Sequence, residues 1–253
     1  MDRIIKITLS VFIVILVTFV ALVGYSAYVE HAYRTSLASS YSYTCTIATD
    51  SPLVNVTLFI PVPETRNGNS PIIAQFSAHA INGMPGTWNT TLYDTGKSTL
   101  VQITIPSLIP PPGTSHDHPY AITLFTNTSS QTLIDTRNPV ENSPVFYPVM
   151  DLSRTGCREN LTASDQRQCY SYKTSVYADY QSDPNATVSI TSTLRGANQW
   201  DIFGPRENDY STDMVVLVPG NNHGWTTADA YLEQGIGPDN PTLPFATPTV
   251  PPT

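Results

Sequence analysis

An all-β fold, an antiparallel β-sandwich held by one N-terminal transmembrane helix, is what this sequence predicts, and three observations carry it. A single uncharged apolar run lies beside the N-terminus. Short segments in which apolar and polar residues alternate recur through most of the remaining chain. Long helical periodicity is missing between residues 38 and 225.

The run comes first. "MDRIIK" places Arg3 and Lys6 ahead of "ITLSVFIVILVTFVALVGYSAYV", which extends from Ile7 to Val29 without a charge. A helix rises ~1.5 Å per residue and the hydrocarbon layer is ~30 Å thick, so about 20 apolar residues cross it. Thr8, Ser10 and Thr18 interrupt the run but can bond back to helix carbonyls. Basic residues ahead of the span favour a short cytoplasmic N-terminus and an exported body. A cleaved signal peptide is the main alternative; its apolar region is shorter, and Gly24-Tyr25-Ser26 matches a small-x-small cleavage site poorly. The expected organisation is therefore a cytoplasmic end at 1–6, a span at 7–29, a stalk at 30–37, a β-sandwich at 38–235 and a tail at 236–253. The tail is rich in Pro and Thr and has little to bury, so it is expected to stay disordered. It holds no second apolar run, which makes the expected protein single-pass.

The strands follow in order. In "SYSYTCTIAT" Tyr41, Tyr43, Cys45 and Ile47 alternate with Ser and Thr, the period of a half-buried strand. "SPLVNVTLFIP" repeats the pattern, with Val54, Val56, Leu58 and Ile60 expected inward and Asp50-Ser51-Pro52 as the turn between the two. "PIIAQFSA", "WNTTLY", "STLVQITI", "YAITLF", "PVFYPV" and "DMVVLVP" are further strand candidates. "CYSYKTSVYADYQSDPNATVSITSTLRG" reads as a hairpin, with Tyr170, Tyr172, Val176, Ala178 and Tyr180 facing Val188, Ile190 and Leu194 across the turn Ser182-Asp183-Pro184-Asn185. Only "TTADAYLEQG" looks helical, with Thr226 or Thr227 as N-cap and Gly235 as stop. Many short strands punctuated by Pro, Gly and Asn argue one sandwich, or two smaller ones divided near residues 151–168.

Charge and cysteines bound the function. The 253-residue chain has 20 acids and 12 bases; without Asp2, Arg3 and Lys6, residues 30–253 keep 19 and 10, a net charge of −9. A basic face for nucleic acid or anionic lipid is thereby excluded, because both need clustered Lys and Arg. Cys157 and Cys169 bracket a polar loop and suit a disulfide, which at that loop length is worth about 3 kcal/mol on chain-entropy grounds. Cys45, on the apolar side of its strand, reads as a small buried thiol. Five N-x-S/T sequons, at Asn55, Asn89, Asn127, Asn160 and Asn185, are candidate glycosylation sites on an exported domain. Ser and Thr are abundant enough to produce some of them by chance, so their loop and outward placement is the better argument.

Chemistry-bearing motifs are few. "YDTGKS" matches the aspartic-protease tripeptide and the end of a phosphate loop, yet no second Asp-Thr-Gly occurs and the glycine a phosphate loop needs is replaced by Thr91; a turn between strands is the simpler account. His116-Asp117-His118, in "PPPGTSHDHPYAITLF", offers two imidazoles for a metal, with His79, His223, Asp117 or Asp135 as possible third ligand. The competing account is a solvated tip on a Pro/Gly-rich connector. In "PGNNHGW" the Asn221, Asn222 and Gly224 positions suit turn geometry and Trp225 is expected to cap the core. Alternatively Trp88, Trp200 and Trp225, with the many tyrosines, line a saccharide groove by stacking. No Gly-x-Ser-x-Gly elbow, HExxH or paired CxxC is present, so a catalytic centre and a cofactor are not expected.

The stretches "YSYTCTIATDSPLVNVTLFIPVP", "YKTSVYADYQSDPNATVSITSTLRGANQWDIFG" and "GNNHGW" resemble a set of uncharacterised archaeal proteins with an N-terminal membrane anchor and an exported β-rich region. That resemblance implies an envelope protein and brings no activity or functional residue with it. The expected role is a membrane-anchored, extracytoplasmic structural or binding module, in contact with the lipid bilayer through residues 7–29 and with an envelope protein or glycan outside. A surface metal-dependent hydrolase built on His116 and His118 and a carbohydrate-binding module are the alternatives.

Overall fold

A computed structural model describes residues 2–158 and 167–235. These fall into two compact units, one of residues 2–38 and 199–207, the other of residues 39–198 and 208–235. Among the described residues strand accounts for 50% and helix for 20%, so the body is mostly antiparallel β behind an N-terminal apolar helix.

In the first unit, α1 (Asp2–Ser36) is one unbroken helix. It combines the expected span and stalk. The helix is long and apolar enough to cross a membrane, and its most apolar window is buried nowhere. Thr8 and Thr18 donate to the carbonyls of Ile4 and Val14 at 3.0 and 2.9 Å, so neither hydroxyl is left unpaired in the apolar run. Past the run the helix turns polar, and Glu30 pairs with Arg34 one turn on.

The second unit is built on ten strands: β1 (Ala38–Thr49), β2 (Leu53–Pro61), β3 (Asn89–Asp94), β4 (Thr99–Leu108), β5 (Tyr120–Ser130), β6 (Met150–Thr155), β7 (Cys169–Gln181), β8 (Thr187–Asp201), β9 (Pro205–Pro219) and β10 (Asn222–Glu233). Two short helices, α2 (Pro71–Ser77) and α3 (Pro139–Asn142), interrupt them. All ten join one sheet in the order β3-β4-β2-β7-β10-β9-β8-β1-β5, with β6 added on β7. The expected pair of facing sheets is thus replaced by one continuous sheet curled into a half-barrel.

The connections force the curl. β1 and β2 stand five places apart in the sheet, about 24 Å if it were flat at ~4.8 Å per strand. Only Asp50, Ser51 and Pro52 join them, and four residue steps reach about 14 Å at most. Leu58, Ile60, Ile103, Ile105, Val188, Ile190 and Leu194 are buried on the concave side. Gly196 marks how closely that side is filled: a Cβ there would meet the Tyr210 ring at 2.4 Å and the Tyr41 ring at 3.0 Å.

Five local expectations need correction. "PIIAQFSA" is the helix α2, started by Ser70, whose hydroxyl accepts from the amides of Ile72 and Ile73, and by Pro71 in the first turn. Ile72 and Phe76 are its buried residues, four apart as on one helix face, and α2 lies against β3 and β5, the two edges of the curled sheet. "TTADAYLEQG" belongs instead to β10, which runs antiparallel to β7 from Asn222 to Glu233. Pairing on both flanks overrides its helical composition. "PVFYPV" contributes only an isolated bridge from Val145 to Glu64.

The hairpin between β7 and β8 is also absent. β10 and β9 lie between them, so β7 to β10 form a Greek key in which consecutive strands β8, β9 and β10 pair and β7 returns beside β10. Turn residues at 182–185 are as compatible with this crossover as with a hairpin. Val54, finally, is exposed rather than inward, because a bulge with Asn55 at φ 55° lies between it and Thr57.

Candidate functional site

The outward face of the sheet carries a line of aromatic rings. Period-two alternation sends Leu58 and Ile60 of β2, and Val176 and Ala178 of β7, into the core. The same alternation leaves Phe59 and Tyr177 outside. Register then aligns them: Phe59 stands opposite Tyr177, and Tyr177 opposite Trp225 of β10. The Phe59–Tyr177 and Tyr177–Trp225 centroids are each 5.5 Å apart, with rings inclined by 80° and 69°. Tyr93 of β3 reaches over β4 to Phe59 at 5.8 Å and 80°. Edge-to-face contacts of this kind contribute about 0.5–1.5 kcal/mol each beyond burial, and here they brace neighbouring rings against one another.

The row is open to solvent. Trp225 is 60% exposed and Tyr93 55%, while Phe59 and Tyr177 are half-buried. Polar groups flank it. Gln102 of β4 lies opposite Phe59, Thr57 opposite Asp179, and His223 opposite Asp179. His223 Nδ1 is 3.0 Å from Asp179 Oδ2, and its ring sits 6.2 Å from Tyr177. Drawn from β3, β2, β7 and β10, the four ring centroids follow one another at 5.8, 5.5 and 5.5 Å, so the row is about 17 Å long at most.

Further along β7 and β10 there is a groove of about 490 Å³ lined by Asp151, Lys173, Asp229, Tyr231 and Arg158 among others. Lys173 stands opposite Asp229. Arg158 Nη1 binds both carboxylate oxygens of Asp213 at 2.9 and 3.0 Å, and its guanidinium lies 4.0 Å above the Tyr231 ring. Trp88 and Trp200, by contrast, are buried. Of the three tryptophans only Trp225 is outside, the reverse of the core-capping role expected for it. Nothing in the sequence around Phe59, Tyr177 or Tyr93 marks them as a set; the pairing of β2, β7 and β10 does.

The histidine pair is placed differently. Ser115 and His118 exchange backbone hydrogen bonds at 3.1 Å, closing a tight turn. His116 is 78% exposed, with Nδ1 3.2 Å from Asp50 Oδ2. Asp50 Oδ1 in turn accepts from the Thr187 amide at 2.9 Å, and Ser182 Oγ donates to the Pro52 carbonyl, so the two crossovers β1–β2 and β7–β8 meet there. Burial pushes the Asp50 carboxyl upward, but the Thr187 amide, His116 and Ser51 outweigh it and hold the carboxyl below the usual range.

Two of the other candidate ligands are engaged elsewhere. His223 is on Asp179, and Asp135 accepts from the amides of Arg137 and Asn138 and from the Asn142 side chain. His79 follows α2 with φ 52° and borders a small cavity beside Trp88. Among the described residues no three His, Cys, Asp or Glu side chains gather as a metal site.

Cys157 and Cys169 are disulfide-bonded, and Cys45 is free and buried, its thiol pushed up by that burial. Asp94-Thr95-Gly96-Lys97 is the β3–β4 turn, where the Asp94 carboxylate accepts from the Gly96 amide at 2.7 Å. Asn55, Asn89, Asn127 and Asn185 are all exposed; Asn160 and the tail from residue 236 lie outside the described residues. No protein-family profile, curated protein or solved structure matches the chain.

Proposed function

We propose that this chain is a single-pass membrane protein with a cytoplasmic N-terminus, whose extracytoplasmic β-domain is a glycan-binding module. The aromatic row of Tyr93, Phe59, Tyr177 and Trp225 carries the proposal. A pyranose presents a face of C–H bonds with slight positive charge, which suits the negative face of an exposed ring; its hydroxyls need donors and acceptors beside that face. Asp179, His223, Gln102 and Thr57 provide them here. The row is one ring wide and long enough for several sugar units, a shape that fits an extended chain better than a broad protein partner with an apolar centre. The net charge of −9 beyond residue 29 argues against a polyphosphate ligand.

The anchor half of the proposal is supported by α1, uncharged from Ile7 to Val29 and exposed along that length apart from Val29, with Arg3 and Lys6 before it. An outward-facing domain also makes Asn55, Asn89, Asn127 and Asn185 the positions for N-glycans in a host that attaches them. Bare asparagines in mass spectra of the native protein would remove that part alone. The binding claim is tested by presenting the full chain in lipid nanodiscs to a glycan array. Retention on a defined set of saccharides is expected; capture of none, or capture only by proteins, would refute it.

A further inference from the structure

The tip of the β8–β9 hairpin packs along α1 within the first unit. Trp200 and Ile202 are buried against Val29, with Ala32, Tyr33 and Leu37 around them. The Trp200 and Tyr33 rings meet edge-on at 5.7 Å. Ser36 Oγ accepts from the Asp201 amide at 2.9 Å. The turn itself is tight: Gly204 N donates to Asp201 Oδ1 at 3.1 Å and Phe203 adopts φ 54°. A bulky residue in left-handed backbone is uncommon and points to a constraint on where its side chain goes.

That side chain goes to the end of the apolar run. Phe203 stacks on Tyr25 at 6.1 Å and tilts onto Tyr28 at 5.6 Å, yet it remains 69% exposed. If the hydrocarbon layer begins near Ile7, about 20 residues of helix bring its far boundary to about Ser26. Tyr25 and Tyr28 bracket that boundary, and tyrosine and tryptophan favour it because their rings have an apolar body and a polar end. Next along α1 come Glu30 and Arg34, already paired and polar. Phe203 therefore stands at the level where helix surface changes from lipid-facing to water-facing, and Arg206 follows on the exposed stretch after the turn.

We infer that the hairpin tip at Phe203 is a second membrane contact, with the Phe203 ring seated in the interfacial layer of the bilayer beside α1. The inference rests on the anchor proposed above. Its occupant is lipid because the surface it continues, the outward side of α1 from Ile7 to Val23, is apolar and covered by nothing else in the described protein. Such a contact restrains the rotation and tilt that a lone helix would leave free.

Site-directed nitroxides test this in full-length protein reconstituted in phosphatidylcholine/phosphatidylglycerol vesicles. Cys45 is buried and should stay unlabelled, which the wild-type chain checks directly. Labels are placed at Val14→Cys in mid-helix, Phe203→Cys at the tip and Leu217→Cys on the sheet exterior, and collision with a water-soluble nickel chelate and with oxygen is measured. The Phe203→Cys label is expected to be shielded from nickel several-fold relative to Leu217→Cys and less deeply than Val14→Cys. Nickel access at 203 equal to that at 217, with 14 still shielded, would overturn the second contact while leaving the anchor intact. Nickel access at 14 would overturn the anchor and the contact with it.

Discussion

The His116–His118 turn and the Phe59–Tyr177–Trp225 row are opposite ways of placing reactive-looking side chains. The turn concentrates three such residues in three consecutive positions, yet among the described residues they form no metal cluster: His116 turns to Asp50, while Ser115 and His118 bond to each other through the backbone. The row draws single residues from strands far apart in sequence, Phe59, Tyr177 and Trp225, and sets neighbouring rings 5.5 Å from one another. Density along the chain and density in space are unrelated here, because strand register, not local sequence, decides which side chains meet. The turn serves the closure of the sheet, and the row is available for a ligand.

The comparison can be broken at either place. Trp225→Ala should have the largest effect, about 2 kcal/mol or roughly thirtyfold in glycan affinity, as exposed aromatic anchors commonly give. Its thermal midpoint should hardly move, since the side chain is mostly exposed. The His116→Ala/His118→Ala pair should leave affinity unchanged in the same assay; a comparable loss there would reverse the assignment of the two regions.

Asp50→Asn should come next. It keeps an acceptor for the Thr187 amide but loses the charge, so about 1 kcal/mol of stability is expected to go at neutral pH, read by denaturant unfolding. The sign with pH follows from the lowered carboxyl: its stabilisation is present above the ordinary carboxylate range and is lost as pH falls through the lower folded value. The gap between wild type and Asp50→Asn should therefore narrow below about pH 4.

Tyrosine titration supplies a smaller, sharper check on the core behind the row. Burial raises the Tyr41 and Tyr180 hydroxyls to about 12 from a usual value of 10.0. Ultraviolet titration should show exposed tyrosines ionising first and these two only near 12. Their contribution to stability is whole below about pH 10 and is lost as pH rises through 12. His116→Ala alone should be smallest, within about 0.5 kcal/mol, because the exposed His116 ring gives Asp50 a single contact screened by solvent.

Much of the scaffold was legible in the residues. The apolar run from Ile7, the alternation of Tyr41, Tyr43, Cys45 and Ile47, and the turn at Asp94–Lys97 are local signals that the fold keeps. Ser70-Pro71 ahead of Ile72, Ile73 and Phe76 was also readable as a helix start, but β-branched residues drew the segment toward strand. What could not be read was topology. The crossover at Asp50–Pro52 and the Greek key of β7 to β10 depend on non-local pairing, and turn residues look alike whether the next strand pairs beside the last or five places away. The aromatic row inherits that blindness: Trp225 sat beside a segment with helical composition, and Phe59 and Tyr177 alternate with core residues as any outward ring would.

The most direct test of the central claim uses Trp225 as its own reporter, since Trp88 and Trp200 are buried and should respond little. Full-length protein in nanodiscs is titrated with soluble oligosaccharides chosen from the array while indole emission is followed. A saturable change that disappears in Trp225→Ala, with the His116→Ala/His118→Ala protein responding like wild type, is the predicted result. A flat response to every oligosaccharide, or an equal response without Trp225, would contradict it.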